Sequence, residues 1–242
     1  MSTLKNEVTY LNPSLDRLYG AQVGPGWTAT AVEKGEPLWF FYGYKTKGID
    51  PTTGDPIFLD KNGQVTNSVT EADKQYIGSA IPNLYYGGSL DASYKNFDFN
   101  VNFQGTSGND VLMGWIRNDR PTINRPEYFF KNRWTADNTS ATEPRAGTDP
   151  KAWNSDLLVF NGSFMRIKQI QLGYNLPKSL MQSLKMKSAR FYVSLDDFFT
   201  FTNYIGMDPE AGTNNNNNNN IGIDRGTYPT ARKVMFGTSI SF

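Results

Sequence analysis

Residues 85–104 read as two strands, each divided between an apolar and a polar face. In the second, Phe97, Phe99, Val101 and Phe103 alternate with Asp98, Asn100, Asn102 and Gln104. Successive side chains of a strand point to opposite faces, so one face is apolar throughout and the other polar. The first arm answers in phase: Tyr86, Leu90, Ala92 and Tyr94 share one parity, and Ser89, Asp91, Ser93 and Lys95 the other. A two-residue turn at Lys95-Asn96 sets Tyr94 opposite Phe97 and brings both apolar sets to one side of the sheet. Each arm has about ten residues, the length of a tilted membrane-crossing strand. Strands of soluble sandwiches are nearer five or six. The expected fold is all-β: an antiparallel transmembrane β-barrel segment with long extracellular loops.

Composition fits that expectation. Mean hydropathy is −0.53, and no apolar run approaches the length of a membrane helix, yet 14 % of the 242 residues are aromatic. Barrels combine these properties because half of each strand is polar while aromatic girdles mark both interfaces. Charge is balanced at +1, which gives no reason to expect nucleic acid as a partner. Cysteine and histidine are both absent. That removes Ser-His-Asp and Cys-His catalysis, disulfides and ordinary zinc sites, so no cofactor is expected and the chain reads as a non-enzyme. No signal peptide opens it; for an exported protein this implies a mature form or a piece of a longer chain.

Along the chain, residues 1–35 are weakly patterned, with Val8, Tyr10 and Leu11 as candidates for the end of a preceding strand, followed by a turn. Residues 36–242 form the barrel part. Residues 38–44 (LWFFYGY) are the densest aromatic cluster, expected as a barrel strand carrying girdle aromatics; the simpler alternative is a core strand of any β protein. Residues 46–83 carry turn chemistry throughout. Within them Asp60 and Asn62 faintly resemble a calcium loop, but the spacing is incomplete, the glycine misplaced and the closing glutamate missing, so an Asn-Gly turn is the better reading.

Residues 105–162 hold Trp115, Arg117, Arg120, Arg125, Arg133, Trp134 and Trp153. Tryptophan and arginine give large contact at modest entropic cost, so Trp115, Arg117, Arg133, Trp134 and Trp153 are the candidates for substrate or partner contact; a loop packed on itself is the alternative. Residues 164–176 alternate if a single bulge falls near Lys168-Gln169, and Pro177 ends them ahead of a short polar connection. In the next strand Asp197 falls on the lipid parity and calls for a second bulge or a place near the interface. Adjacent Asp196 and Asp197 point to opposite faces and cannot act as paired glycosidase carboxylates. Residues 203–228 form a third long loop with an asparagine run at 214–220. The last strand, 233–242, ends on Phe242, in the manner of outer-membrane barrels whose terminal aromatic is an assembly signal.

These blocks also resemble a known family. Gly35-x-Pro37 with Phe41-Tyr42-Gly43-Tyr44, then Phe164-x-Arg166-Ile167-Lys168 with Leu172-Gly173-Tyr174-x-Leu176-Pro177, then Phe199-Thr200-Phe201-Thr202-x-Tyr204-x-Gly206-x-Asp208-Pro209-Glu210, and Gly226-x-Tyr228-Pro229 with Arg232 stand in this order. Together they resemble the C-terminal barrel region of SusC/RagA proteins, TonB-linked outer-membrane transporters. The resemblance implies a barrel of about 22 strands around a plug. It also implies import of glycans or peptides with TonB-derived energy, and a SusD-like lipoprotein partner. The family's plug and TonB box have no counterpart in these residues, so contact with the TonB complex would run through a plug region outside them. About six strands are identifiable where closure needs roughly eight, which points to the C-terminal piece of a larger barrel in outer-membrane lipid.

Two other functions fit the alternation alone: a small self-contained pore or adhesin, and a soluble carbohydrate-binding sandwich. With Phe242 periplasmic, residues 46–83, 105–162 and 203–228 are expected outside, 95–96 and 177–188 inside, and the segment before Gly35 inside as well.

Overall fold

A computed structural model describes residues 1–117, 119–120, 124–210 and 218–242. The alternating segments become one sheet of six strands: β1 (Ser2–Thr3), β2 (Leu84–Tyr94), β3 (Phe97–Ser107), β4 (Phe164–Asn175), β5 (Ser188–Thr202) and β6 (Lys233–Ser241). Each pairs antiparallel with its neighbours in this order. Lys95-Asn96 is the turn between β2 and β3, with Tyr94 opposite Phe97. Lys95 has φ +53, the positive value that tight hairpin turns demand at their first residue.

Register carries each face across the sheet. Ala92, Phe99, Leu172, Val193 and Phe236 form one row, and Asp91, Asn100, Gln171 and Ser194 run in the adjacent row on the other face. The apolar side is bare: Leu90, Phe97, Phe199, Val234 and Phe236 are exposed, Phe236 at 82 %. No second sheet covers it among the described residues, so the sandwich reading lacks its other half.

The expected bulges are both present, side by side. Lys168 is an extra residue on β4 between the pairs Asn102↔Gln169 and Phe103↔Ile167. Opposite it, β5 accommodates Asp197 and Phe198 between Asp196↔Gln169 and Phe199↔Ile167, with Asp197 at φ +53. Of the two accounts offered for Asp197, the bulge is the one the structure shows, and Lys168 is its ion-pair partner.

One end of the sheet has only short links. These are the Lys95-Asn96 turn and residues 176–187, where Pro177 caps a helix, Lys178–Ser183, that the sequence pattern did not suggest. Met181 is the residue this helix buries. The other end carries residues 4–83, 108–163 and 203–232, which fold together into a cap. The large core cluster lies in this cap: Trp27, Phe41, Leu112, Met113, Leu158 and Ile223 are fully buried there. Asp110–Met113 pairs with Val159–Asn161 on one side and, in parallel, with Ile223–Asp224 on the other, joining the second and third loops.

Two expectations are corrected here. Phe40–Gly43 is not a wall strand. It lies inside a four-stranded cap sheet between Thr30–Val32 and Gln75–Gly78, with Phe40, Phe41, Tyr42 and Tyr44 all buried. Its aromatics occupy both parities because both faces are covered, as in a central core strand. The segment before Gly35 also lies at the cap end, opposite Phe242. The pairing Thr3↔Leu84 puts the end of β1 beside the start of β2, so residue 4 enters the cap, and the strand at the N-terminus is Ser2–Thr3 rather than one ending near Leu11.

Candidate functional site

On the polar face of β4, Arg166 is 3 % exposed and reaches four partners. Its Nε donates to Thr200 Oγ1 at 2.9 Å, Nη2 to Asp208 Oδ1 at 2.6 Å, and Nη1 to Thr230 Oγ1 at 3.1 Å and to the Glu210 carboxylate. Asp208, 5 % exposed, also accepts the amide N–H of Thr230 at 2.9 Å and of Glu210 at 3.0 Å. Burial alone would raise the Asp208 carboxyl. The two amides and the guanidinium outweigh it and hold the group below the usual carboxylate range. This arrangement ties the third loop to the inside of the wall at both of its ends. Arg166 and its two acidic partners are engaged with one another, so the cluster acts as a latch on the loop.

The five candidate contact residues do not form one site. Trp134 lies against Gly54, where an added Cβ would stand 2.5 Å from the indole, and its ring N–H donates to Pro51 O at 2.9 Å. It is a strut between the first and second loops. Trp115 packs against the cap core, and Arg117 is held by Asp119 through a 2.6 Å ion pair. Arg133 and Trp153 do come together, lining a cleft of about 670 Å³ with Phe129, Phe130, Arg125 and Glu143.

Two of the cleft's charged groups, Arg125 and Glu143, were not among the candidate contact residues. The Arg125 guanidinium lies 3.6 Å from the centre of the Trp153 ring, and its Nη1 is buried without a hydrogen-bond partner. Burial lowers its pKa, with the Glu143 charge acting in opposition. Glu143 is 4 % exposed, its Oε2 unpartnered. Burial pushes its carboxyl up to about 8 against the smaller pull of the Tyr128 hydroxyl and Arg125, so it is largely protonated at neutral pH. Nothing in the polar stretch around Glu143 announces this, because the groups that desolvate it come from elsewhere in the loop.

Asp60 is committed to a turn. Its carboxylate accepts the amides of Asn62 and Gln64, each at 2.8 Å, with Gly63 at φ +78 between Pro56–Leu59 and Val65–Thr66. Among the described residues no group of three or more acidic side chains could hold a metal. The asparagine run at 214–220 lies largely outside the described residues.

No family model matches the chain. It is 33 % identical over 87 % of its length to TonB-dependent receptor P3 of Formosa agariphila, covering 23 % of that protein. It is 28 % identical over 98 % of its length to TonB-dependent receptor SusC of Bacteroides thetaiotaomicron, again covering 23 %. The solved RagAB peptide importer in its open-open state superposes on 98 % of the chain with a TM-score of 0.75 at 28 % identity, 25 % of that chain being covered. The chain belongs to the SusC/RagA family of TonB-dependent receptors. It spans about a quarter of the length of the relatives it matches.

Membership gives the latch a meaning. Arg166 comes from one of the blocks that carry the family resemblance, Asp208 and Glu210 from a second, and Thr230 directly follows a third, Tyr228-Pro229. Segments more than 40 residues apart in the SusC/RagA pattern meet at one guanidinium. The six-strand sheet is a stretch of transmembrane barrel wall, and the relatives are transporters and receptors rather than enzymes.

Proposed function

We propose that the chain supplies part of the C-terminal wall and three outward loops of a TonB-dependent outer-membrane importer, and that it has no enzymatic activity of its own. The observation that carries this is the split of apolar surface. The wall presents a bare apolar band on one face and a polar one on the other, while the large apolar core among the described residues sits in the loops. Lipid is the solvent that tolerates such a band, and closure by further strands satisfies the free edges of β1 and β6. Short links at one end and long connections at the other support a cap on the cell exterior, with Phe242, as the assembly signal, at the periplasmic end.

The substrate class is a glycan or a peptide, delivered with a SusD-like lipoprotein that meets the cap, and energy reaches the barrel from TonB through a plug outside these residues. Of the expected contact residues, Trp153 and Arg133 are the ones placed to meet a ligand because they line the cleft, while Trp115, Arg117 and Trp134 support the second loop. The likeness to the RagAB peptide importer supports the peptide reading, and a glycan is the other cargo that the family resemblance implies.

Orientation is tested in intact cells making the full-length transporter. Thr139→Cys, exposed in the cap, should react with a membrane-impermeant maleimide, and Lys185→Cys, at the other end, should react only after the cells are opened. Labelling of Lys185→Cys alone would reverse the assignment.

A further inference from the structure

Within that reading of the cap as the importer's outward surface, we propose that the cleft bounded by Arg125, Glu143, Trp153, Phe129 and Phe130 is a binding site for a carboxylate carried on a compact apolar body. Arg125 is the main reason. A half-buried guanidinium normally has a carboxylate or carbonyl on each inward N–H, because desolvated charge is costly without one. Arg145 on the same cleft has such a partner, Asp55 at 3.0 Å. Arg125 forms no ion pair among the described residues, and its buried Nη1 has no acceptor. The Trp153 indole fixes the guanidinium plane, leaving the fork edge to meet a planar acid in two parallel hydrogen bonds.

Glu143 points to the same ligand. Its Oε2 is buried and unpartnered on the same cleft. An ionised Glu143 would have been the natural counter-ion of Arg125, yet the two make no ion pair. Held in the protonated form, it is an O–H donor, so the cleft offers it as a second donor beside the Arg125 guanidinium. A carboxylate, planar and singly charged, matches the one guanidinium fork left without an acceptor. The aromatic lining, Phe129 edge-on to Trp153 at 6.4 Å with Phe130 beside it, suits the C–H face of a sugar ring or an aliphatic side chain.

The carboxylate has two sources, a uronic acid or the end of a peptide, and the test separates them. Purified full-length transporter is titrated calorimetrically with trigalacturonate against maltotriose, and with trialanine against its C-terminal amide. At least one acid should bind more tightly than its neutral counterpart, and the pair that shows the preference names the source. Arg125→Gln should weaken that acid by at least about tenfold, the worth of a lost charge-assisted hydrogen bond, and abolish the preference. Arg125→Lys keeps the charge without the fork and should fall between. Thr139→Ala, exposed in the cap and outside the cleft lining, should bind as the parent does, which shows that the cap tolerates substitution. Equal binding of acid and neutral probe by the parent, or a preference that survives Arg125→Gln, overturns the proposal. Uptake by whole cells is scored separately. Import of a neutral substrate without acid preference leaves the importer standing and removes the site; acid preference without any import does the reverse.

Discussion

Replacing Arg166 by methionine tests whether one guanidinium holds the third loop on the barrel wall. The substitution removes the partner of Asp208 and Glu210 while filling similar volume. Asp208 keeps the Thr230 and Glu210 amides, at 2.9 and 3.0 Å, so its charge is not wholly abandoned. Leaving one member of a buried pair uncompensated costs about 3–5 kcal/mol, and the surviving amides place this site at the lower end. At about 3 kcal/mol, the population of molecules with the loop released rises by roughly 150-fold. Global unfolding of a large barrel is slow and poorly reversible, so local opening is the quantity to measure. Arg225 and Arg232 are exposed trypsin sites in this loop and flank Thr230. Where opening and closing are fast relative to cleavage, the cutting rate reports the open fraction.

Tryptic cleavage at these sites should accelerate strongly in Arg166→Met. Arg166→Lys should lie between, because a single ammonium cannot serve Thr200, Asp208, Glu210 and Thr230 together. Cleavage of the second loop at Lys131, exposed on the short helix Glu127–Asn132, supplies the internal control. Unchanged cutting at Arg225 and Arg232 in Arg166→Met would show that the core contacts of Tyr204 and Ile223, not the latch, fix the loop, and the reasoning would fail.

Three further outcomes are expected. Burial raises the Glu143 pKa from 4.5 to about 8, so the folded cap holds a proton that the unfolded chain releases; its contribution is full below pH 4.5 and is lost as pH rises to about 8, at most roughly 5 kcal/mol, and Glu143→Gln should flatten this slope in a proteolysis-versus-pH series. Phe99→Arg should cost about 2–4 kcal/mol in the lipid band and impair assembly, whereas Asn100→Arg, one residue away on the polar face, should assemble normally; heat-modifiability on gels separates them, and equal damage would contradict the two-solvent sheet. Gly54→Val meets both a positive φ of +74 and the Trp134 ring, so it should loosen the second loop against the first by about 1–3 kcal/mol, seen as a shift in Trp134 emission.

The wall was legible in the sequence because each strand faces two different solvents. Phe97 to Phe103 alternate without exception, and even the bulge at Lys168 left a trace, since Ile167 and Ile170 can share a face only if one residue is skipped. The Arg166 latch was half legible: a lone arginine on the polar parity of a wall strand is visible, but nothing local names Asp208, 42 residues on. The cleft was only partly legible: Arg133 and Trp153 stand among the expected contact residues, but nothing local brings Arg125 and Glu143 to them. Arg125 and Glu143 are ordinary charged residues in a polar loop until Phe129, Tyr128 and Trp153 fold over them, and tryptophan identity alone does not separate the strut Trp134 from the cleft-lining Trp153.

The placement of residues 38–44 in the cap points to a rule with a physical basis. A sheet with lipid on one side and a polar lumen on the other has no apolar interior of its own, so it cannot bury a strand on both faces. Phe40, Phe41 and Tyr42 are consecutive and all buried, which demands apolar neighbours on both sides. In a chain whose wall strands alternate cleanly, an unbroken aromatic run therefore belongs to whatever core the loops build, not to the girdle. Here the loops do build one, from Trp27 and Phe41 in the first, Leu112, Met113 and Leu158 in the second and Ile223 in the third. A core shared by three connections fixes each relative to the others, and it is this packed base that lets the rigid Trp153–Arg125 stack stand at the cleft instead of on a freely moving loop.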